Sequence, residues 1–202
     1  VLLVDHEDSF VHTLANYIRT TGALVTTLRA DLARAELRAG ASPDLVVLSP
    51  GPGRPADFAI DQTLDLAIGR GLPIFGVCLG LQGIVEYFGG ALDLLDLPCH
   101  GKPSRVRVLG GRLFAGLPRE FTVGRYHSLH ARRATVPAAL AVTAETEDRV
   151  VMAVEHENLP IAAVQFHPES VMTLAAEIGL PIIAAAFSAL CRRDAAPAAA
   201  AQ

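Results

Sequence analysis

Cys78 stands in the run Phe75-Gly76-Val77-Cys78-Leu79-Gly80-Leu81-Gln82, with a glycine two residues to either side. An apolar run precedes it and a helical pattern follows. A G-x-C-x-G segment at such a junction has the form of a nucleophile elbow, with sulfur in place of oxygen. A nucleophile on a sharp strand-to-helix turn has strained backbone angles, and small neighbours avoid the clashes. The turn also puts the thiol at a helix N-terminus, where backbone N–H groups favour the thiolate. A free thiol of pKa ~8.5 is only a few per cent ionised at neutral pH, so that help matters. By itself the segment also fits a buried structural cysteine.

Two other segments would complete the chemistry. Ser49-Pro50-Gly51-Pro52-Gly53 follows an apolar run and can continue neither a strand nor a helix. Acyl transfer needs N–H donors aimed at a developing oxyanion. The residue after the nucleophile, Leu79, offers one, and the 51–53 loop at a neighbouring strand end could offer another. Taken alone, the loop reads as an ordinary tight turn. In Gln165-Phe166-His167-Pro168-Glu169 a proline separates an imidazole from a carboxylate. Proline fixes its own φ and holds the residue before it extended, so both side chains can project toward one region. A base beside a thiol needs a third group to set its tautomer and stabilise imidazolium, and Glu169 fits that role.

Seven histidines compete for the base. His6, His12 and His100 read as loop or helix-start positions, His127 and His130 flank Ser128-Leu129, and His156 reads as an exposed strand end. Only His167 has a carboxylate held beside it by a rigid residue. No H-x-x-x-H pair occurs, so no metal site is expected.

These residues need a scaffold. Val1 to Val4 and Leu45 to Leu48 read as buried strands, Leu24 to Leu28 as a strand candidate and Pro73 to Val77 as a further strand. Helical patterns lie between them: Phe10, Leu14, Tyr17 and Ile18, stopped at Gly22; Asp31 to Ala39 with Asp31 as N-cap; and Asp61 to Ile68. Leu79 to Phe88 follows, stopped by Gly89-Gly90. Strand-helix alternation is the signature of a parallel sheet covered on both faces, with ligands beyond the carboxyl ends of the strands. The 49–53 loop and Cys78 fall at such ends. The second half differs: Val106 to Leu109, Phe121 to Tyr126, Leu140 to Thr143, Val150 to Glu155 and Ile161 to Phe166 read as strands with short turns. They predict an antiparallel or mixed extension, closed by a helix starting near Pro181.

A chain of 202 residues, about half apolar, fits one globular domain. The reading is a domain over 1–190 and a tail over 191–202, Ala/Pro-rich from Ala195. A strand at residue 1 without Met suggests an excised domain, a trimmed terminus or missing residues. Net charge is -4 and no Lys/Arg block occurs, so neither nucleic acid nor an anionic membrane is an expected partner. Arg107, Arg112, Arg132 and Arg133 read as solvated strand or loop positions. Cys78, Cys99 and Cys191 are too dispersed for a metal knuckle and predict reduced thiols, hence a cytoplasmic setting. No apolar stretch is long enough to span a bilayer.

The 49–53 loop, the Cys78 elbow and Phe166-His167-Pro168-Glu169-Ser170 together resemble the class I glutamine amidotransferases. The likeness runs in order to about residue 190. Val4-Asp5-His6-Glu7-Asp8-Ser9-Phe10, His100-Gly101-Lys102-Pro103-Ser104 and Arg125-Tyr126-His127-Ser128-Leu129 look like the anthranilate synthase and aminodeoxychorismate synthase branch. The opening segment and Leu81 are similar to the amidotransferase domain of fused anthranilate synthases. Leu81 replaces a histidine often found in separate subunits, but lies outside the triad.

The resemblance implies an α/β fold in three layers: a flavodoxin-like, mostly parallel central sheet, helices on both faces and an antiparallel extension. It implies a Cys78-His167-Glu169 triad and an oxyanion hole from the Gly51 and Leu79 N–H groups. L-Glutamine would be held by Gly51, Pro52, Gly53, Gln82, Ser128 and Leu129. Ammonia would pass to a chorismate-using synthase domain or subunit, making anthranilate for tryptophan biosynthesis, with the segment 100–104 facing that partner. No cofactor is implied here, and Mg2+ is expected in the partner synthase. Alternatives are the amidotransferase of aminodeoxychorismate synthase or a related chorismate aminase, a stand-alone γ-glutamyl hydrolase, and a non-enzymatic binding or regulatory domain.

Overall fold

The computed structural model describes residues 1–174 and 177–191. Its strands are β1 (Leu2–Asp5), β2 (Thr26–Arg29), β3 (Val46–Leu48), β4 (Ile74–Val77), β5 (Leu92–Val108), β6 (Glu120–Ala131), β7 (Leu140–Thr146), β8 (Val151–His156) and β9 (Ile161–Val164). The helices are α1 (Val11–Thr20), α2 (Ala30–Arg38), α3 (Ile60–Ile68), α4 (Leu79–Tyr87), α5 (Val171–Leu174) and α6 (Gly179–Leu190).

Strand side chains alternate between two faces, and the core divides accordingly. Leu3, Val47, Phe75, Val77, Ala162 and Val164 pack with Leu14 and Ile18 of α1 and Ile182 and Ala186 of α6. Leu2, Val4, Val46, Leu48, Ile74 and Ala163 pack with Leu37 of α2, Leu64 of α3 and Ile84 of α4. A sheet buried on both faces needs near-continuous apolar strands, and β3, β4 and β9 are buried throughout. This is the expected three-layer α/β arrangement.

One sheet runs in the order β2-β1-β3-β4-β9-β8-β7-β5-β6. The pairings from β2 through β9 are parallel, and those from β9 through β6 antiparallel. The carboxyl ends of β1, β3, β4 and β9 therefore open on one margin of the sheet. His6, the 49–53 loop, Cys78 and the 165–169 segment leave from those four ends. β6 lies last in the order, yet its Gly124 carbonyl accepts the His167 N–H at 3.2 Å. The antiparallel half thus curls back onto the margin where the parallel strands end.

Several boundaries differ from the sequence reading. β5 begins at Leu92, far upstream of Val106, because pairing with β6 carries it through Pro98, Gly101 and Pro103. Register shifts between Leu94 and Cys99, and between His100 and Lys102, accommodate Pro98 and Gly101, while Pro103 pairs with Gly124. His100 is thus a strand residue rather than a loop residue. Asp31 is not the N-cap of α2: β2 leads straight into the helix, Arg29 is the cap and Asp31 sits in the first turn. β9 ends at Val164, and α6 starts at Gly179, two residues before Pro181.

The four arginines are solvated strand or loop residues as expected, Arg133 the least exposed, and each also pairs with a carboxylate. Arg107 and Arg133 converge on Glu145 at 2.6 and 2.9 Å, Arg112 meets Glu155 at 3.2 Å and Arg132 meets Asp93 at 3.0 Å. His156 is buried, and its Nδ1 accepts the N–H groups of Asn158 and Leu159 at 3.0 Å. Residues 192–202, which hold nearly all of the expected tail, lie outside the described residues.

Candidate active site

Cys78 joins β4 to α4 with φ 54° and ψ -99°, a conformation that non-glycine residues rarely adopt. Such a backbone costs on the order of 1–3 kcal/mol and persists only where its surroundings enforce it. The enforcement is visible. The Cys78 N–H donates to the Val164 carbonyl at 2.8 Å, and the Cys78 carbonyl accepts the first bond of α4 from Gln82 at 3.2 Å. A Cβ on Gly76 would stand 2.8 Å from the Gly80 carbonyl carbon, and one on Gly80 would stand 2.6 Å from the Leu48 carbonyl oxygen. Only glycine at both positions lets helix, turn and strand pack this closely. The sulfur sits at the start of α4, with the residue almost wholly buried.

The loop after β3 packs against that turn. A Cβ on Gly51 would fall 2.5 Å from Leu79 Cδ2 and 2.7 Å from the His6 carbonyl oxygen. Gly51 therefore lies directly against the first residue of α4, whose N–H is among those a helix leaves unpaired. His6 anchors the loop from below. Its N–H donates to Ser49 Oγ at 2.9 Å, and its Nδ1 lies 3.0 Å from the Ser49 carbonyl. Burial pushes the His6 ring down to about 4, against the opposing effect of the Ser49 hydrogen bond. It is neutral at physiological pH, and Nδ1 carries the proton that Ser49 accepts. Pro52 and Gly53 are exposed further along the loop.

His167 follows β9 and is walled by two aromatic rings. Phe10 and Tyr126 each lie 5.0 Å from it, centroid to centroid. Its Nδ1 is 2.8 Å from Glu169 Oε1, and neither side chain reaches solvent appreciably. Thr173 Oγ1 donates to the His167 carbonyl at 2.7 Å, and the Ser170 N–H donates to the same carbonyl at 3.2 Å. Burial alone would depress the ring. The Glu169 charge, contact with the Cys78 thiol and the bond to Glu169 outweigh it and raise His167 well above its ordinary 6.5. Nδ1 is engaged by Glu169, so Nε2 is the atom left for Cys78; among the described residues it makes no full hydrogen bond.

Gln82 and Leu129 also converge: Gln82 Nε2 donates to the Leu129 carbonyl at 3.0 Å, and Ser128 is half-buried beside Leu129. His127 Nδ1 lies 2.8 Å from the same carbonyl, and Arg125 Nε donates to His127 Nε2 at 3.0 Å. Burial first, then the Arg125 charge, push His127 down to about 3. It is a neutral strut rather than a competing base.

The sequence reading missed four contributors. Gln165 Nε2 lies 3.5 Å from Cys78 Sγ. Phe10 and Tyr126 wall the imidazole, and Tyr126 Oη lies 3.0 Å from Ser170 Oγ. Thr173 holds both the His167 carbonyl and, at 2.9 Å, the Gly124 N–H. Phe10, Tyr126 and Gln165 all stood in quoted segments, but nothing in their spacing says which ring they touch. The pair Ser170-x-x-Thr173 was a readable cue for a hydroxyl-stabilised turn.

A thiol on an elbow, an imidazole and a buried carboxylate at the carboxyl margin of a parallel sheet define a thiol-dependent amide hydrolase. Residues 2–178 match the family model "Glutamine amidotransferase class-I". The chain belongs to that family and is a glutamine amidotransferase by descent and architecture. It is 68% identical over 183 residues to an anthranilate synthase of Azospirillum brasilense, covering 91% of this chain but 25% of that protein. It is 44% identical to anthranilate synthase component 2 of the same organism, over 85% of this chain and 88% of the relative. A glutamine amidotransferase structure from Thermotoga maritima superposes with a TM-score of 0.72 over 95% of this chain and 97% of that one. At 13% identity that likeness speaks for the fold alone. Among the described residues no helix is long and apolar enough to cross a membrane.

Proposed function

We propose that this chain hydrolyses the side-chain amide of L-glutamine and delivers the ammonia to a chorismate-using synthase that makes anthranilate. The observation that carries the reading is the buried His167–Glu169 pair, 2.8 Å apart, set against the Cys78 elbow. The Glu169 charge and the Cys78 contact raise His167 well above 6.5, so the ring can hold the Cys78 proton as imidazolium and leave a thiolate nucleophile. The thiolate attacks the amide carbon of glutamine, and the N–H groups of Leu79 and Gly51 donate to the oxyanion. Imidazolium Nε2 gives its proton to the departing nitrogen, which leaves as ammonia. His167, now neutral, takes a proton from water as it attacks the thioester; the adduct collapses to expel Cys78 as thiolate beside the re-formed imidazolium, and glutamate leaves with its new carboxyl proton lost to solvent. Glu169 holds Nδ1–H throughout, which keeps Nε2 the working atom.

Gly51, Pro52, Gly53, Gln82, Ser128 and Leu129 are the proposed contacts for glutamine. The fit of Gly51 against Leu79 and the bond from Gln82 to Leu129 support that set. These steps need no cofactor in this domain; any Mg2+ requirement belongs to the synthase. Ammonia in open water is mostly protonated and not nucleophilic, so delivery requires a sheltered route to the partner's site. The anthranilate assignment rests on the two Azospirillum relatives. A cytoplasmic location accords with three unpaired cysteines.

The test is C78S in complex with the synthase. Glutamine-dependent product formation should vanish while formation with added ammonium salts survives. Loss of both would refute separable sites. A glutamine analogue bearing an electrophilic side-chain carbon should label Cys78 ahead of Cys99 and Cys191, although both of those are more exposed. Equal labelling would refute a tuned thiol.

A further inference from the structure

A line of hydrogen bonds runs from β6 to the nucleophile, and its direction is dictated by one carbonyl. Leu129 C=O can only accept, so the Gln82 side chain must turn its NH2 toward it, at 3.0 Å. The same Gln82 Nε2 lies 3.4 Å from the amide of Gln165, so Gln165 must present its oxygen there. That leaves the Gln165 NH2 aimed at Cys78 Sγ, at 3.5 Å. Reversing either amide would set donor against donor or oxygen against oxygen. Both side chains are buried, Gln165 completely, so water cannot relieve such a conflict. His127 Nδ1–H shares the Leu129 carbonyl and fixes it in place.

We propose that Gln165 is a positioning residue for the nucleophile: aligned through Gln82 by the Leu129 carbonyl, its amide donates to Sγ and favours the thiolate over the thiol. This rests on Cys78 being the nucleophile. An N–H donor stabilises an anionic sulfur far more than a neutral one, and a buried bond to a charged group counts for more than one in water. Few titratable groups share the neighbourhood. His167 acts on the sulfur from the loop after β9, with Glu169 behind the ring, and β6 brings the neutral His127, with the buried Arg125 guanidinium bonded to it, within electrostatic reach of His167. His6, also neutral, stands behind the Gly51 loop. β4, β9, the 49–53 loop and the first turn of α4 carry no other titratable side chain. Gln165 is therefore a neutral group whose orientation can tune the sulfur independently of the imidazole.

The experiment is the pH dependence of Cys78 alkylation by iodoacetamide in the full chain, read by peptide mass spectrometry, with Cys99 and Cys191 as internal controls. Q165M keeps the volume and removes the donor. Its half-maximal rate should move up by about one pH unit, a roughly ten-fold slower reaction below the midpoint. Q165E replaces the donor with an acceptor and should move it further. Q82E leaves Gln165 in place but invites its NH2 away from the sulfur, and should shift the midpoint in the same direction. Rates at Cys99 and Cys191 should not change, which separates alignment from general loosening. If Q165M does not fold, Q82E carries the test. Unmoved midpoints in the folded variants would overturn the proposal alone. A wild-type Cys78 no more reactive than Cys99 or Cys191 would instead sink the functional reading.

Discussion

Glu169 Oε1 meets His167 Nδ1 at 2.8 Å across a single proline, and the pair is closed off from solvent. The ring is gripped between Phe10 and Tyr126, so the carboxylate acts on an imidazole that has little freedom to rotate. Removing the Glu169 charge would leave burial as the dominant influence and lower His167 toward neutrality. E169Q should cut glutaminase kcat by about 100-fold with a much smaller change in KM, measured as initial rates of glutamate release. A change confined to KM would argue that Glu169 serves binding instead.

The same pair governs the alkaline side of stability. The folded His167 value is raised above its unfolded 6.5, so the folded state binds the extra proton between the two. Its stabilisation is complete below 6.5 and is lost as pH rises through the raised folded value. Chemical denaturation of the wild type at stepped pH should show that decline, and E169Q should flatten it.

His127 and His6 act with the opposite sign. Both are depressed in the folded state, to about 3 and about 4, so the unfolded chain binds more protons below 6.5. Their contribution is full above 6.5 and falls with pH, by about 1.4 kcal/mol per pH unit for each ring. Denaturation between pH 6.5 and 4.5 should show this slope. H127Q should remove about half of the combined histidine slope while lowering stability at pH 7, because the Arg125 and Leu129 bonds are weakened.

Gly80 has no room to grow. A methyl group there would enter the Leu48 carbonyl at 2.6 Å, a backbone atom that can give way only if β3 moves. G80A should lower stability by about 2–4 kcal/mol and abolish preferential labelling of Cys78, since the elbow must shift. Thermal melting and analogue labelling would check the two halves. Ordinary melting with disturbed labelling would place the effect on the turn alone.

Tyr126 separates packing from hydrogen bonding. Y126F keeps the ring against His167 and loses only the bond to Ser170, at a cost of about 0.5–1.5 kcal/mol with kcat nearly intact. Y126A removes the wall itself and should reduce kcat at least ten-fold, because Nε2 is no longer held toward the sulfur. Equal kcat in the two variants would show that Phe10 alone suffices.

Much of this site was readable along the chain because its key constraints are local. Glycines at 76 and 80 report a turn that only glycine permits, and His-Pro-Glu joins a base to its carboxylate within three residues. Apolar runs at β1, β3 and β4 report strands buried on both faces. Other features follow from contacts that sequence spacing does not encode. β5 runs through two prolines because β6 supplies a partner, and the arginines near it are neutralised by Glu145 and Glu155 on neighbouring strands. The pairing of Gln82 with Leu129 and of Gln165 with Cys78 spans 47 and 87 positions. Which rings enclose His167, which histidines are neutral and which way each amide points were decided only when the sheet curled its antiparallel half onto the parallel strand ends. Burial and donor-acceptor matching arise there, and both are properties of neighbours in space.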